Sequence, residues 1–113
     1  MASYKFGEVV LVDFPFSDRN AEKRRPGLVF SQDPHGDLLV ARISSKSAEL
    51  PTDVVLADWK DAGLNIPSTV RLLKLTTMHE SQVLRRLGKV SGIDRRSVID
   101  ALRKFITRIE DEN

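Results

Sequence analysis

Pro26 constrains the path of this chain more than any other residue, because of what flanks it: Arg24-Arg25 before it and Gly27-Leu28-Val29-Phe30-Ser31 after it. A proline lacks a backbone donor and has a fixed φ, so it belongs at the first position of a strand and not inside one. It also pushes the residue before it towards extended backbone. The expectation is a buried strand over residues 27–31, with Arg25 held rigidly at its mouth, where a loop meets the sheet. A guanidinium there presents a planar fork of donors that matches a phosphate. Arginines ahead of a strand are also ordinary solvated charge, so the motif needs support from the rest of the chain.

The rest of the chain reads as short strands followed by one helix. Gly7-Glu8-Val9-Val10-Leu11-Val12-Asp13-Phe14 is rich in β-branched residues and bounded by Gly7 and Pro15, which predicts a first strand covered on both faces. Phe14-Pro15-Phe16-Ser17-Asp18 breaks it, and a polar loop over residues 17–25 follows. Long loops in small domains are often functional. After residues 27–31, the turn formers of Gln32-Asp33-Pro34-His35-Gly36-Asp37 predict an antiparallel return over residues 38–44. A second loop over residues 45–52 leads to a strand over 53–56. Residues 58–62 then predict one helical turn stopped by Gly63. A strand over residues 69–77 should place Val70, Leu72 and Lys74 on one face and Arg71, Leu73 and Leu75 on the other. Residues 79–84 read as a turn, and 85–90 as a last strand interrupted by Gly88. Asp94 reads as the N-cap of a terminal helix, with Ile93 as its staple. Val98, Leu102, Phe105 and Ile109, widened by Ile99 and Ile106, form the stripe that packs on the sheet. The fold class is mainly β: five to seven mostly antiparallel strands in a small, strongly bent or barrel-like sheet with a C-terminal helix.

A chain of 113 residues fits one domain, read here as residues 1–113. It has no cysteine, so disulfides and thiolate zinc sites are excluded. With His35 and His79 its only histidines, no metal site and no cofactor are expected. No apolar run approaches the ~20 residues of a membrane helix, and the start lacks a signal peptide's apolar core. A cytoplasmic protein without membrane attachment is expected. The net charge is only +2, but it is unevenly spread. Residues 85–96 hold Arg85, Arg86, Lys89, Arg95 and Arg96 against Asp94 alone, and residues 17–26 carry a smaller surplus. Basic patches on a nearly neutral chain suggest a polyanionic partner.

Taken together, these pieces resemble the MazF/PemK family of toxin–antitoxin endoribonucleases. The likeness rests on the opening strand, on Arg24-Arg25-Pro26-Gly27-Leu28-Val29, and on Ile43-Ser44-Ser45-Lys46 in the place of the family's threonine-serine motif. Leu50-Pro51-Thr52-Asp53-Val54-Val55-Leu56, Ala62-Gly63-Leu64, Pro67-Ser68-Thr69-Val70-Arg71 and Leu87-Gly88-Lys89-Val90 follow in the family's order. The resemblance implies a barrel of the Src-homology-3 type and a homodimer, with exposed apolar positions near residues 70–75 as its interface. It also implies metal-independent cleavage of single-stranded RNA, and a cognate antitoxin whose disordered acidic segment lies across the RNA groove. By the same resemblance Arg25 and Ser44 are the catalytic pair, and Arg24, Ser45, Lys46, Arg71, Arg85 and Arg86 contact RNA.

The chain departs from the family in two places. Ser44 lacks the methyl that restricts a threonine's rotamer. Leu73 stands where some members carry an acid, which removes a candidate general base. These departures motivate an alternative, a barrel that binds nucleic acid or a partner without cleaving. A translation-associated β-barrel is a third class. His79 has the chemistry of a general base, but it lies outside the matched motifs and reads as a solvated turn residue, as does His35. Trp59 could stack a base and otherwise reads as core.

Overall fold

The computed structural model describes residues 2–13 and 24–112. The expected break at residues 14–18 and most of the loop over 17–25 lie outside the described residues. The chain runs β1 (Glu8–Asp13), β2 (Arg24–Gln32), β3 (Asp37–Ser44), β4 (Asp53–Val55), β5 (Thr69–His79), a 3-10 turn (Glu80–Gln82), β6 (Val83–Lys89) and α1 (Gly92–Asp111). The strands form one six-stranded sheet in the order β4-β5-β3-β2-β1-β6, and every recorded pairing is antiparallel. The mainly β architecture with a terminal helix is the one expected.

Alternation along the strands separates two apolar layers. Val9, Leu28, Ala41, Ile43, Val54, Leu56, Val70, Leu72 and Val98 pack in one. Val10, Val12, Val29, Leu38, Val40 and Met78 pack in the other. The first strand is therefore covered on both faces, which explains its unbroken apolar run. Helix α1 closes the first layer through Val98, which is fully buried, and through Ala101 and Leu102. The rest of the helical stripe is less engaged: Ile106 and Ile109 are exposed.

Irregular pairing bends the sheet. Phe30 is an extra residue between the pairs Val29↔Val40 and Ser31↔Leu39, and its ring meets Phe6 edge to face with centroids 5.5 Å apart. Residues 72–74 are extra on β5 between Ala41↔Leu75 and Arg42↔Arg71. Leu84 and Leu87 are extra on β6. Such bulges raise local twist and curl a sheet. At β5 the bulge undoes the simple alternation. Val70 and Leu72 are buried as expected, but Lys74 is exposed together with Leu73 and Leu75.

Several expected boundaries are displaced: β5 runs on to His79 and β6 begins at Val83, within the expected turn. Strand β2 starts at Arg24, three residues earlier than expected, so Pro26 is its third residue, opposite Leu11 of β1. The strand accepts it because pairing with β3 begins only at Gly27, so at Pro26 there is a neighbour on one side alone. The helix is capped by Ser91, whose Oγ accepts from Asp94 N–H at 3.2 Å, rather than by Asp94. Ile93 is exposed and is no staple. The Asp94 carboxylate is buried and turned to another task. It accepts from Ala57 N–H and from Asp58 N–H, each at 2.8 Å.

That carboxylate anchors the turn stopped by Gly63. Leu64 N–H reaches Trp59 O at 3.1 Å and Gly63 N–H reaches Lys60 O at 3.0 Å, the paired bonds of a Schellman ending. Gly63 has φ +86, and a Cβ built there would stand 2.0 Å from Leu87 O of β6. A Cβ on Gly88 would stand 2.6 Å from Ala62 O. The segment after β4, one edge of the sheet, is thus laid backbone to backbone on β6, the other edge, and the sheet becomes barrel-like. Gly63→Ala should cost at least ~2 kcal/mol, from its left-handed backbone and the clash with β6. Gly92→Ala, whose Cβ meets nothing within 4 Å, should be neutral or slightly stabilising. Chemical denaturation of both variants checks this pair.

Candidate functional site

The cleft lies where β3, β2, β1 and β6 pass beside the segment closed by Gly63. Arg85, Leu11 and Pro26 are paired in a row across β6, β1 and β2. With Ile43, Leu64 and Leu87 they give the cleft, about 570 Å³ in volume, an apolar lining. Its polar groups come from Arg25 on β2, Arg42 and Ser44 on β3, Ser45 and Lys46 just beyond, Asn65 and Ser68 before β5, and Arg85 on β6. No carboxylate and no histidine is among the described residues that line it. A low-dielectric floor with cations of one sign focuses the field and concentrates anions.

Local geometry prepares the hydroxyl of Ser44. Its Oγ accepts from Lys46 N–H at 3.1 Å, a serine turn at the strand's end. With an oxygen lone pair engaged, the hydroxyl proton is directed towards an incoming acceptor. The backbone bond thus supplies some of the restriction that a threonine methyl would give. Arg25 is half-buried, and its Nη1 donates to Arg24 O at 2.8 Å.

The residues expected to act together separate into two groups. Arg25, Ser44, Ser45, Lys46 and Arg85 line the one cleft. Arg24, Arg71 and Arg86 do not. Arg71 donates to Asp53 Oδ2 at 3.0 Å, lies 3.6 Å from Glu49 and reaches Ser47 O at 3.5 Å. Asp53 also accepts from Glu49 N–H and Leu50 N–H through the same Oδ2, so Arg71 braces the loop between β3 and β4. Arg86 is held by Glu8 and by Ser3 O at 2.7 Å, and its guanidinium stacks 4.2 Å over the Tyr4 ring. Leu73 is more than half exposed and lies outside the cleft lining.

Arg42 was not singled out from the sequence, yet it lines the cleft. The available signal was its position two residues before Ser44, which puts both on one face of a strand. His79 serves structure: its Nδ1 accepts from Ser81 N–H at 3.1 Å and caps the 3-10 turn. His35 is an exposed turn residue, and Trp59 packs partly buried against the core. Among the described residues no group of His, Asp or Glu could hold a metal ion, and no helix is long and apolar enough to cross a membrane.

Comparison with known proteins adds independent findings. The family model of PemK-like, MazF-like toxins of type II toxin–antitoxin systems matches residues 5–106. No curated protein matches the sequence. Among solved structures, a mycobacterial endoribonuclease in complex with its cognate antitoxin superposes with a TM-score of 0.75 at 18% identity, over 93% of this chain and 96% of that one. MazF from Deinococcus radiodurans gives 0.69 at 19% identity, over 95% and 99%. The Mycobacterium tuberculosis toxin MazF-mt6 gives 0.66 at 24% identity, over 83% and 90%. At these identities the likeness is one of fold.

The division between cleft and brace is testable. Arg71→Ala should lower stability by about 2 kcal/mol, because a mostly buried, charge-assisted bond to Asp53 is lost. Arg85→Ala, an exposed residue at the rim, should change stability by less than ~0.5 kcal/mol. Thermal unfolding of the two variants side by side measures the contrast.

Proposed function

Because this chain belongs to the PemK-like, MazF-like toxins of type II toxin–antitoxin systems, we propose that its cationic cleft binds single-stranded RNA and cleaves it without a metal ion, thereby inhibiting growth. The observation that carries the reading is the meeting of Arg25, Ser44, Lys46 and Arg85 in one cleft whose described lining holds no carboxylate.

In this reading the 2′-oxygen of the RNA attacks the adjacent phosphorus, the P–O5′ bond breaks, and the products are a 2′,3′-cyclic phosphate and a 5′-hydroxyl. The 2′-hydroxyl loses its proton and the departing 5′-oxygen gains one. Negative charge grows on the non-bridging oxygens in between. The Arg25 fork neutralises it, the kind of electrostatic stabilisation that usually dominates catalysis. The Ser44 hydroxyl, oriented by Lys46 N–H, donates to a non-bridging oxygen. Lys46, Ser45 and Arg85 hold flanking phosphates and fix the strand's register without reading its bases.

The natural competitor for such a cleft is an acidic polypeptide, and a solved neighbour is an endoribonuclease in complex with its cognate antitoxin. By analogy, a cognate antitoxin occupies this cleft with a disordered acidic segment. The active unit is a twofold homodimer, the commonest oligomeric symmetry, with Leu73 and Leu75 exposed on β5 as part of its apolar interface.

Purified protein incubated with long single-stranded RNA in a metal chelator should give 5′-hydroxyl fragments. Arg25→Ala should lower turnover by at least ~10²-fold, the scale for losing one oxyanion donor. Arg25→Lys should restore little, since an ammonium keeps charge but not the fork. Binding that weakens steeply with salt but yields no fragments would identify a non-catalytic binding barrel instead. Light scattering at micromolar concentration should give the mass of a dimer.

A further inference from the structure

Arg42 carries a buried guanidinium nitrogen, Nε, that finds no partner among the described residues. It lies on β3 between Gly27 of β2 and Arg71 of β5 in the strand register. Its Nε is shielded from solvent and makes no hydrogen bond, and no ion pair to it is found among the described residues. Each of these facts counts against folding stability. An orphaned buried donor is unfavourable, and so is a like charge directly across a ladder. The neighbouring Arg71 is neutralised by Asp53 and Glu49, whereas Arg42 meets no acid among the described residues. It faces the cleft that holds Arg25, Ser44, Lys46 and Arg85.

We propose that Arg42 is a substrate-binding residue of this cleft. It grips the RNA backbone phosphate next to the one held by Arg25 and Ser44. The proposal rests on the reading of the cleft as an RNA site. Arg42 and Ser44 are two positions apart on one strand, ~7 Å along it, which suits successive phosphates of an extended strand. An anion there supplies the acceptor that Nε lacks and the opposite charge that the guanidinium lacks. Arg42 therefore joins Lys46, Ser45 and Arg85 in fixing the register in which the scissile phosphate meets Arg25, and takes no part in proton transfer. Its cost to the free protein is recovered in the complex.

The test uses the full chain and a labelled mixed-sequence single-stranded RNA with 2′-O-methyl groups, which cannot be cleaved through its 2′-oxygen. Arg42→Met keeps the apolar stem and removes the charge and donors. The Kd should rise about tenfold, and the slope of log affinity against log salt should become shallower by about one, as for loss of a phosphate contact. On cleavable RNA, KM should rise with kcat nearly unchanged, the signature of lost uniform binding, whereas Arg25→Ala lowers kcat. The Tm of the free Arg42→Met protein should rise by a few degrees, because an orphaned buried donor has been removed. Arg42→Lys should recover the salt slope and part of the affinity. Wild-type binding with unchanged Kd and slope in Arg42→Met would overturn this proposal alone. So would a fall in Tm or loss of folding, since Arg42 would then be holding the sheet together. A wild-type chain that fails to bind the probe would overturn the RNA reading and this proposal with it.

Discussion

The backbone contact between Gly63 and Leu87 decides what kind of sheet this is. Without it, β4 and β6 would be the two edges of an open sheet, each with unpaired backbone groups. The contact needs a residue with positive φ and no side chain at Gly63, and no side chain at Gly88. It also needs the turn before Gly63 to be held at the correct height, which the Asp94 carboxylate does by accepting Ala57 and Asp58 N–H. A charge from the helix's first turn is thereby spent on closing the sheet. The cleft is a consequence. Gly63, Leu64, Asn65 and Ile66 form one of its walls, and that wall stands only because the segment is pressed onto β6.

Function on this scaffold depends on which cations are left to a ligand. Arg71 and Arg86 are as basic in sequence as Arg85, but each is committed to a carboxylate within the fold. A guanidinium already forked onto an acid adds little attraction for a phosphate, since its charge is matched and its donors are taken. The described lining of the cleft, by contrast, contains no carboxylate. Sorting basic residues by their partners, and not by their number, makes a near-neutral chain compatible with a polyanion.

Much of this was legible in the strand pattern. The antiparallel order, the two-sided burial of β1 and the Gly63 stop follow from alternation, turn residues and apolar runs, whereas the pairing of Arg25 with Ser44 comes from the resemblance to the family. The misreadings share a physical cause, which is that one-dimensional patterns do not show where a side chain's partner lies. Arg85 and Arg86 are neighbours in sequence, yet a strand turns them to opposite faces, one into the cleft and one onto Tyr4. Asp94 looked like a cap because a carboxylate before a helix usually is one; its buried acceptors lie 36 and 37 residues away. The bulge over residues 72–74 was hidden because nothing local marks it. It is set by the register against β3.

That bulge also bears on the missing acid. Leu73 would matter as a lost general base only if its position faced the reacting phosphate. The irregular pairing instead leaves it exposed and outside the cleft lining. The chemistry available to the described cleft residues is therefore charge stabilisation and hydrogen bonding, with Ser44 as donor and the guanidiniums as counter-charge. In the proposed reaction such a site would lower the barrier by being arranged before the substrate arrives, since oriented donors need no reorganisation as charge develops. In this structure that arrangement is achieved by backbone. Lys46 N–H orients Ser44, Arg24 O holds Arg25, and Pro26 fixes the strand from which Arg25 projects. The strand mouth that constrains the fold is then the same element that makes the anion site rigid.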